Sequence, residues 1–596
     1  LRDELSKRSL SEIKPSIPRL SSAEFIVLSL RIHTRISLTG KINCVSTTTC
    51  IVFHVMNSNE AGSMIEPTHP GLKQHRMPTS TVVFMIFCLC AAGAYGIEDM
   101  IPNAGPGLTL VMLIVLPFVW STPMGLVASE LGSAIPEEGG FYKWVQRACG
   151  EFWGFQAGWW RTISIYFDNT IYVVLAGSYL ASVIDLTPIE EYLFKASVVI
   201  FFTYINIRGI RDVGAVSTGI SIVVMIAFAM VAAFGFANWQ SNPFEPFIPP
   251  DQSLLQSIGA GIALGIWVYS GYESMSTMAG ELEDPQVIPK ATLITVPLIM
   301  AVYILPTMGG LASLGSWSEW ASEGGLSYGD VIANHVPALG ILFVFVAVIA
   351  QFSLLNTYIA SGSRGFFALA EDNLAPRALV KCSKERGVPY IAVLSLGAFS
   401  LIVCMFPFGV IVVVDAILFM SAYVLIFIAA CILRVKEPDL ERPFKVPFAT
   451  RGFIAMCVPP ISIAFIALFI NGTDYFVGGI LALVSGPVAY VIFKRKFGGL
   501  TKIDPVRHPV NPKTRLGIGD IKRMAWMFAI LTVIGIIAVF FLPWYEDPQS
   551  YTDDYGIEGL FHILMSCIRW MTAAFGVFTA VLLMIARRVE PPARLP

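Results

Sequence analysis

Residues 92–99 read Ala-Gly-Ala-Tyr-Gly-Ile-Glu-Asp, and they interrupt the first long apolar segment of the chain with two glycines and then two acids. A second interruption, Tyr-Ser-Gly-Tyr-Glu at residues 269–273, falls five apolar segments later. Broken helices at corresponding positions in two halves of a membrane protein indicate the binding site of a transporter. The pair of interruptions therefore predicts a two-part site inside a membrane.

The composition excludes several classes of protein. Of the 596 residues, 55% are hydrophobic and 14% are charged, whereas a soluble domain carries about 25% charged residues. The formal net charge of −2 gives a nucleic-acid partner no electrostatic support. The ten cysteines and seven histidines are scattered along the chain, so neither a metal site nor a disulfide framework is expected. No cluster of His, Cys and Asp indicates a catalytic centre, and an enzyme is not expected.

Fourteen runs are apolar and long enough to cross a bilayer, which takes about 20 residues as a helix. They lie near residues 80–100, 107–131, 153–184, 192–207, 213–237, 256–279, 291–315, 337–361, 389–407, 409–433, 453–470, 475–493, 524–543 and 568–586. The predicted fold class is an all-α integral membrane protein with about 14 transmembrane helices. The third run is longer than a bilayer needs, which predicts a tilted or projecting helix.

The basic residues orient these spans. Thirty Lys and Arg residues follow Met77, and all but three of them fall in alternate loops. Since positive residues stay on the cytoplasmic side, both termini are predicted to be cytoplasmic. We expect a multi-pass protein of the cell (plasma) membrane, with the lipid bilayer as a partner. The oligomeric state does not follow from the sequence.

Residues 1–76 differ from the rest of the chain. The first 55 residues hold eight Lys and Arg against four Asp and Glu, with fourteen Ser and Thr. This composition is found in organellar transit peptides. The plainer interpretations are a disordered extension or an over-extended start, and we predict no folded domain there.

The interruptions themselves supply the predicted substrate-binding residues. Where a helix breaks inside a bilayer, its freed N–H and C=O groups need a cavity or a ligand. The N-terminal end of a half-helix suits a carboxylate, and the C-terminal end suits a cation. The alternative is that small residues only allow close helix packing. The predicted substrate-binding residues are Gly93, Ala94, Tyr95, Gly96, Tyr269, Ser270, Gly271, Tyr272 and Glu273.

Acidic residues within the spans are the candidate cation or proton sites. A carboxylate at the bilayer centre costs about 3 kcal/mol, so it usually faces a cavity or a partner. Asp168 lies two helical turns after Arg161 and on the same face, and a structural charge pair is the alternative there. Glu130 is expected to be structural or gate-forming. The candidate sites are Glu98, Asp99, Asp168 and Ser361, with H+ or Na+ as coupling ion and no other cofactor.

Three groups of motifs carry a family resemblance. One group resembles the motif that closes the second helix of the amino acid–polyamine–organocation (APC) superfamily: Ser129-Glu130-Leu131-Gly132, Pro136, Gly139-Gly140, Tyr142 and Trp144. Two others resemble its polyamine-uptake branch: residues 152–159 with Asp168-Asn169, and residues 276–281 with Glu283-Asp284-Pro285. The resemblance covers roughly residues 80–495.

The resemblance implies a LeuT-type fold of 5+5 inverted repeats, alternating access and secondary active transport. The implied organisation is a first repeat over residues 77–240, a second over 250–435, spans eleven and twelve over 436–500, a cytoplasmic linker over 501–523, and spans thirteen and fourteen with a cytoplasmic tail over 524–596. The last two spans have no evident counterpart in the plant polyamine carriers.

The substrate is predicted to be a small molecule that bears an amine. An amino acid, cationic ones included, is the first hypothesis, because broken helices accommodate one carboxylate and one ammonium group. A polyamine such as putrescine or spermidine is the alternative, because four acids are available. The plant polyamine carriers tend to have Trp-Asp where this chain has Tyr272-Glu273. A receptor that keeps the fold without transport is the third hypothesis.

Overall fold

A computed structural model describes residues 78–90, 94–137, 139–208, 213–272, 287–314, 316–322, 324–383 and 387–589. The helices are α1 (Thr79–Cys90), α2 (Met100–Ala104), α3 (Pro106–Ala134), α4 (Phe141–Cys149), α5 (Glu151–Ala181), α6 (Pro188–Arg208), α7 (Val213–Ala237), α8 (Leu254–Val268), α9 (Val287–Ser313), α10 (Tyr328–Ala333), α11 (Pro337–Glu371), α12 (Tyr390–Val403), α13 (Phe408–Lys436), α14 (Thr450–Ile470), α15 (Thr473–Phe497), α16 (Asp520–Tyr545), α17 (Pro548–Tyr555) and α18 (Leu560–Val589). The predicted all-α class is confirmed.

Each of the fourteen predicted spans coincides with a helix of the described residues. Nine described helices are long and apolar enough to cross a bilayer, and α1, α8 and α12 are shorter apolar helices. The remaining two predicted spans correspond to α5 and α6. Each carries a buried charged side chain, Arg161 on α5 and Lys195 on α6. α11 continues past the eighth predicted span, from residue 361 to Glu371. Residues 1–76, the motifs at 276–285 and the second half of the sixth span lie outside the described residues.

Helices pack against their counterparts five spans along the chain. α2 packs on α8, α3 on α9, α5 on α11, and α6 on α12. These are spans one and six, two and seven, three and eight, and four and nine. Inverted repeats related by a two-fold axis in the membrane plane are expected to give such pairs close to the axis. The repeat boundaries stay predictions.

Spans thirteen and fourteen form a helical hairpin beside the rest of the bundle. α16 and α18 pack along each other. At one end of the hairpin, the hydroxyl of Tyr545 donates to the carbonyl of Ile470 at 2.9 Å. At the other, the hydroxyl of Tyr490 on α15 donates to Asp520 at 2.5 Å. The hairpin is therefore fixed to spans eleven and twelve at both ends.

Candidate substrate site between the broken helices

The first interruption is a true break in the helix. α1 ends at Cys90, and a 3-10 turn over Ile97–Asp99 leads into α2. Gly96 precedes that turn with φ +85°, a conformation that L-residues with a side chain rarely adopt. Ala94 and Tyr95 are buried within the break. Gly93 lies outside the described residues.

The second interruption is also a break. α8 ends at Val268, and Gly271 has φ +103°. The Ser270 hydroxyl donates to the carbonyl of Ile266 at 2.8 Å, which closes the last turn of its own helix. Tyr272 is buried. Glu273, the last of the predicted substrate-binding residues, lies outside the described residues.

The two breaks touch each other. A Cβ atom added to Gly271 would stand 2.7 Å from the carbonyl oxygen of Leu89, at the end of α1. Backbone carbonyls freed at these helix ends accept hydrogen bonds from tyrosine hydroxyls of neighbouring spans. Tyr358 donates to Leu89 at 2.9 Å, and Tyr303 donates to Val268 at 2.8 Å. The requirement that freed polar groups be satisfied inside a membrane is met here by side chains.

Both the hydroxyl and the backbone carbonyl of Tyr269 form hydrogen bonds with the second span. Its hydroxyl donates to the carbonyl of Leu113 at 2.7 Å, and its own carbonyl accepts from the Ser121 hydroxyl at 3.2 Å. Ser121 ends a π-helical turn over Pro117–Ser121 within α3. Tyr269 therefore ties the second break to the second span.

A cavity of about 10 Å³ lies between the two breaks. We call it the inner cavity. It has room for about one water molecule, so the site is closed in this conformation. Its wall brings together residues of spans one, three, six, seven and eight: Cys90, Tyr95, Asp168, Tyr172, Trp267, Val268, Ser270, Tyr303 and Tyr358.

Asp168 is the acidic residue in the wall of the inner cavity. It accepts hydrogen bonds from Trp267 Nε1 at 2.9 Å and from the Tyr172 hydroxyl at 3.4 Å. Arg161 Nη1 stands 3.5 Å from its other carboxylate oxygen and donates to the Ser164 hydroxyl at 2.8 Å. The predicted shared face of Arg161 and Asp168 is present, and the acid lies both in a charge pair and on a cavity wall.

Asp415 is a second acid at this place, and the sequence analysis missed it. It is fully buried in the first third of α13. Its carboxylate oxygens complete no hydrogen bond among the described residues, although the Ser164 hydroxyl and the Asp168 carboxyl group lie near them. The charged groups that act on it are Asp168 and Arg161. We call Asp168 and Asp415 the acid pair. The signal in the sequence was a lone acid within the apolar run 409–433, since such residues are functional candidates by default.

Glu98 is fully buried in the first break. The backbone N–H of Gly96 donates to its Oε2 atom at 2.8 Å, and the Tyr179 hydroxyl donates to its Oε1 atom at 3.0 Å. The carboxyl group of Glu98 therefore accepts the hydrogen bond of an N–H group that would otherwise be available to a ligand carboxylate.

Asp99 and Ser361 lie away from the inner cavity. Asp99 accepts from the Ser322 backbone N–H at 3.0 Å and from the Ser322 hydroxyl, so it holds an inter-helix loop against the first break. The Ser361 hydroxyl is buried and donates to the carbonyl of Tyr358, one turn earlier in its own helix, at 3.5 Å. Their roles in cation binding stay predictions.

Glu130 lies in a buried ion cluster at the end of α3. Arg434 Nε donates to its Oε1 atom at 2.6 Å, and Arg442 Nε stands 3.0 Å from the same oxygen. The backbone N–H of Val446 donates to its Oε2 atom at 2.8 Å. This carboxylate therefore joins the ends of spans two and ten to the loop after span ten, as the structural interpretation predicts.

Replacing Gly271 with alanine is expected to destabilise the protein by about 1–2 kcal/mol or more, because a side chain at this φ is strained and its Cβ would meet Leu89. Gly409→Ala is the matched control, because its Cβ atom would meet nothing within 4 Å. Thermal unfolding in detergent measures both variants, and equal stability would contradict the close approach.

Comparison with known proteins gives the family. A family model described as "Amino acid permease" matches residues 78–493, from the start of α1 to near the end of α15. The chain belongs to the amino acid permease family. The hairpin of α16 and α18 lies beyond the matched part of this permease.

Relatives of the permease are transporters. It is 32% identical to a probable polyamine transporter of Arabidopsis thaliana. The 392 aligned residues cover 64% of this chain and 76% of that protein. It is 29% identical to the polyamine transporter RMV1 of Arabidopsis thaliana, over 70% of this chain and 84% of that protein. The serine/threonine exchanger SteT of Bacillus subtilis is 26% identical, over 62% of this chain and 86% of that protein. Among solved structures, MhsT in complex with L-phenylalanine is similar over 70% of this chain and 100% of that chain, with 13% identity and a TM-score of 0.49.

Proposed function

We propose that this permease transports cationic amines, polyamines first, by alternating access around the inner cavity. The observation that carries the proposal is the acid pair. If both carboxyl groups were ionised beside the one guanidinium of Arg161, one uncompensated negative charge would stand inside the membrane. Such a charge costs about 3 kcal/mol on insertion scales, and an ammonium group or a proton removes that cost.

The walls of the inner cavity also favour a cation. Tyr95, Tyr172 and Trp267 line it beside Asp168, and aromatic faces attract ammonium groups. The Gly96 N–H group, which would suit a substrate carboxylate, already donates to Glu98. A ligand with several amines and no carboxylate fits these donors and acceptors better than an amino acid does.

We infer that protons are the coupling ion. A sodium site needs several free oxygen ligands, and the carbonyl oxygens of Leu89 and Val268 already accept hydrogen bonds from tyrosine hydroxyls. The carboxylate oxygens of Asp415 complete no hydrogen bond among the described residues. The acid pair can therefore take up a proton in the absence of substrate and release it when an ammonium group arrives.

The closed cavity suggests how binding drives the cycle. Trp267 Nε1 links the end of α8 to Asp168 on α5. A substrate ammonium group that binds Asp168 competes for the same carboxylate. Loss of the Trp267 hydrogen bond would free α8 to move relative to α5, which opens the site to one side of the membrane.

An amino acid is the second candidate substrate, supported by the similarity to the serine/threonine exchanger. The residues after the second break lie outside the described residues. We further propose that the protein resides in the plasma membrane with both termini cytoplasmic, as the distribution of basic residues favours.

Uptake by purified permease in proteoliposomes tests the proposal. Radiolabelled putrescine, spermidine, arginine and leucine are compared under an imposed pH gradient and under a sodium gradient. We expect accumulation of the polyamines driven by the pH gradient. Accumulation of leucine with no competition by spermidine would overturn the polyamine assignment, sodium-driven uptake would overturn the coupling ion, and binding without accumulation would indicate a receptor.

A further inference from the structure

A second cavity has a volume of about 760 Å³. We call it the lateral cavity. Its walls come from α4, α5, α13, α14, α15 and α16, so it lies where the terminal hairpin meets the part of the chain that the family model matches. Its volume is in the range of small-molecule sites. The inner cavity shares none of its lining residues.

The lateral cavity is apolar along its length and cationic at one end. Representative wall residues are Trp153, Met420, Val424, Phe465, Met527 and Ile534. Lys436, the last residue of α13, and Arg523, in the first turn of α16, also line it. Both lie on the side that the basic residues predict to be cytoplasmic. From Arg523 to Ile534 the wall spans eleven residues of helix, about 16 Å at 1.5 Å per residue, close to half of a hydrocarbon core about 30 Å thick.

The two cations both lie near Cys149. Cys149 lies in the cavity wall. Burial raises the pKa of its thiol, and the charges of both Lys436 and Arg523 oppose that rise. Arg523 Nη2 stands 3.3 Å from where a Cβ atom of the adjacent Gly150 would be. A single anionic group beside Cys149 is therefore within the field of both side chains.

Neither cation is fully neutralised by the protein. Lys436 is exposed. Arg523 Nη1 donates to Asp520 at 2.9 Å, but Asp520 also accepts from Tyr490 and from the backbone N–H of Gly517. Among the described residues, the remaining guanidinium nitrogens of Arg523 meet no hydrogen-bond partner, and Lys436 meets no acid. Arginine binds phosphate groups with two such donors.

We propose that the lateral cavity binds one anionic glycerophospholipid of the cytoplasmic leaflet, with its phosphate at Lys436 and Arg523 and an acyl chain along α13 and α16. Basic pockets between transmembrane helices on the cytoplasmic side hold anionic head groups. A sterol or a zwitterionic lipid would fill the apolar part and leave the cations without an anion. The bound lipid fills the space between the terminal hairpin and the rest of the bundle and so stabilises their packing.

Lipid retention by the full-length protein tests the proposal. The permease is purified in detergent, incubated with phosphatidylserine or phosphatidylcholine, washed, and examined by native mass spectrometry. We expect one phosphatidylserine to be retained in preference to phosphatidylcholine, and to raise the melting temperature. In Lys436→Gln/Arg523→Gln, retention of phosphatidylserine should fall about thirtyfold, since each basic residue contributes to the attraction.

Two further variants distinguish a specific lipid-binding site from non-specific adhesion of lipid to the protein. Arg587→Gln/Arg588→Gln removes the same charge from exposed residues at the end of α18, and retention should change by less than about twofold. Ser421→Phe fills the apolar wall and leaves both cations in place, and it should also lose the lipid. Equal retention of the two lipids, an equal loss in the control pair, or full retention in Ser421→Phe would overturn the proposal. If the double variant does not fold, Lys436→Gln alone and Ser421→Phe decide.

Discussion

Asp415→Asn is expected to abolish the accumulation of spermidine in proteoliposomes while leaving the protein folded. Asparagine has the volume of aspartate, so the packing of α13 is kept. The acid pair loses one of its two carboxyl groups, and the charge that would attract an ammonium group or a proton disappears. We expect the initial rate of uptake to fall about 100-fold or more, since removing one charge that pairs with a bound charged group costs about 2–5 kcal/mol of binding free energy.

The same substitution at an exposed acid is the control. Asp439→Asn changes a residue exposed to solvent in the loop after α13 and should leave uptake unchanged. Asp168→Asn separates the two interpretations of that residue. Loss of the protein from the membrane indicates a structural pair with Arg161, whereas normal abundance with lost uptake indicates a binding residue. Uptake by Asp415→Asn at the wild-type rate would refute the role of the acid pair.

Glu130→Gln is expected to have the largest effect on stability. The neutral amide would leave Arg434 and Arg442 side by side in a buried cluster with no anion. Breaking a buried ion pair by removing one partner costs about 3–5 kcal/mol. Thermal unfolding in detergent and abundance in the membrane measure the effect. Because the cluster joins three segments of the chain, both quantities should fall together.

Glu437→Gln is the matched control for this change. Glu437 pairs with Arg147 at 2.7 Å, but the two side chains are 34% and 42% exposed. Pairs in solvent contribute about 0–1 kcal/mol, so this variant should unfold near the wild-type temperature. If Glu130→Gln were no less stable than Glu437→Gln, the structural role of the Glu130 cluster would be wrong.

The sequence predicted the spans well because their signal is local. A run of about 20 apolar residues specifies a membrane helix without reference to its neighbours, and all fourteen runs coincide with helices. Helix ends were less certain. α11 continues beyond its predicted run to Glu371, because Arg364 interrupts the run of uncharged residues without ending the helix.

The site was predicted in part. The breaks at Gly96 and Gly271 could be seen because glycine within an apolar run is a local signal, and Asp168 because Arg161 lies two turns away. The partners of these residues come from distant segments. Nothing near Leu89 in the sequence indicates that Tyr358 caps its carbonyl, and nothing near Asp168 indicates Asp415. Glu98 and Asp99 are adjacent, yet one bonds to its own turn and the other to a loop more than 200 residues away.

The contact between Glu98 and the Gly96 N–H group has a consequence for selectivity. A substrate with an α-carboxylate must displace a carboxyl group that is tethered two residues away, and a tethered group acts at an effective concentration of about millimolar or higher. The permease thus carries an intramolecular competitor for one half of an amino acid. Ligands that bear only amines never encounter this competition, so substrates can be sorted by charge without any steric barrier at the entrance.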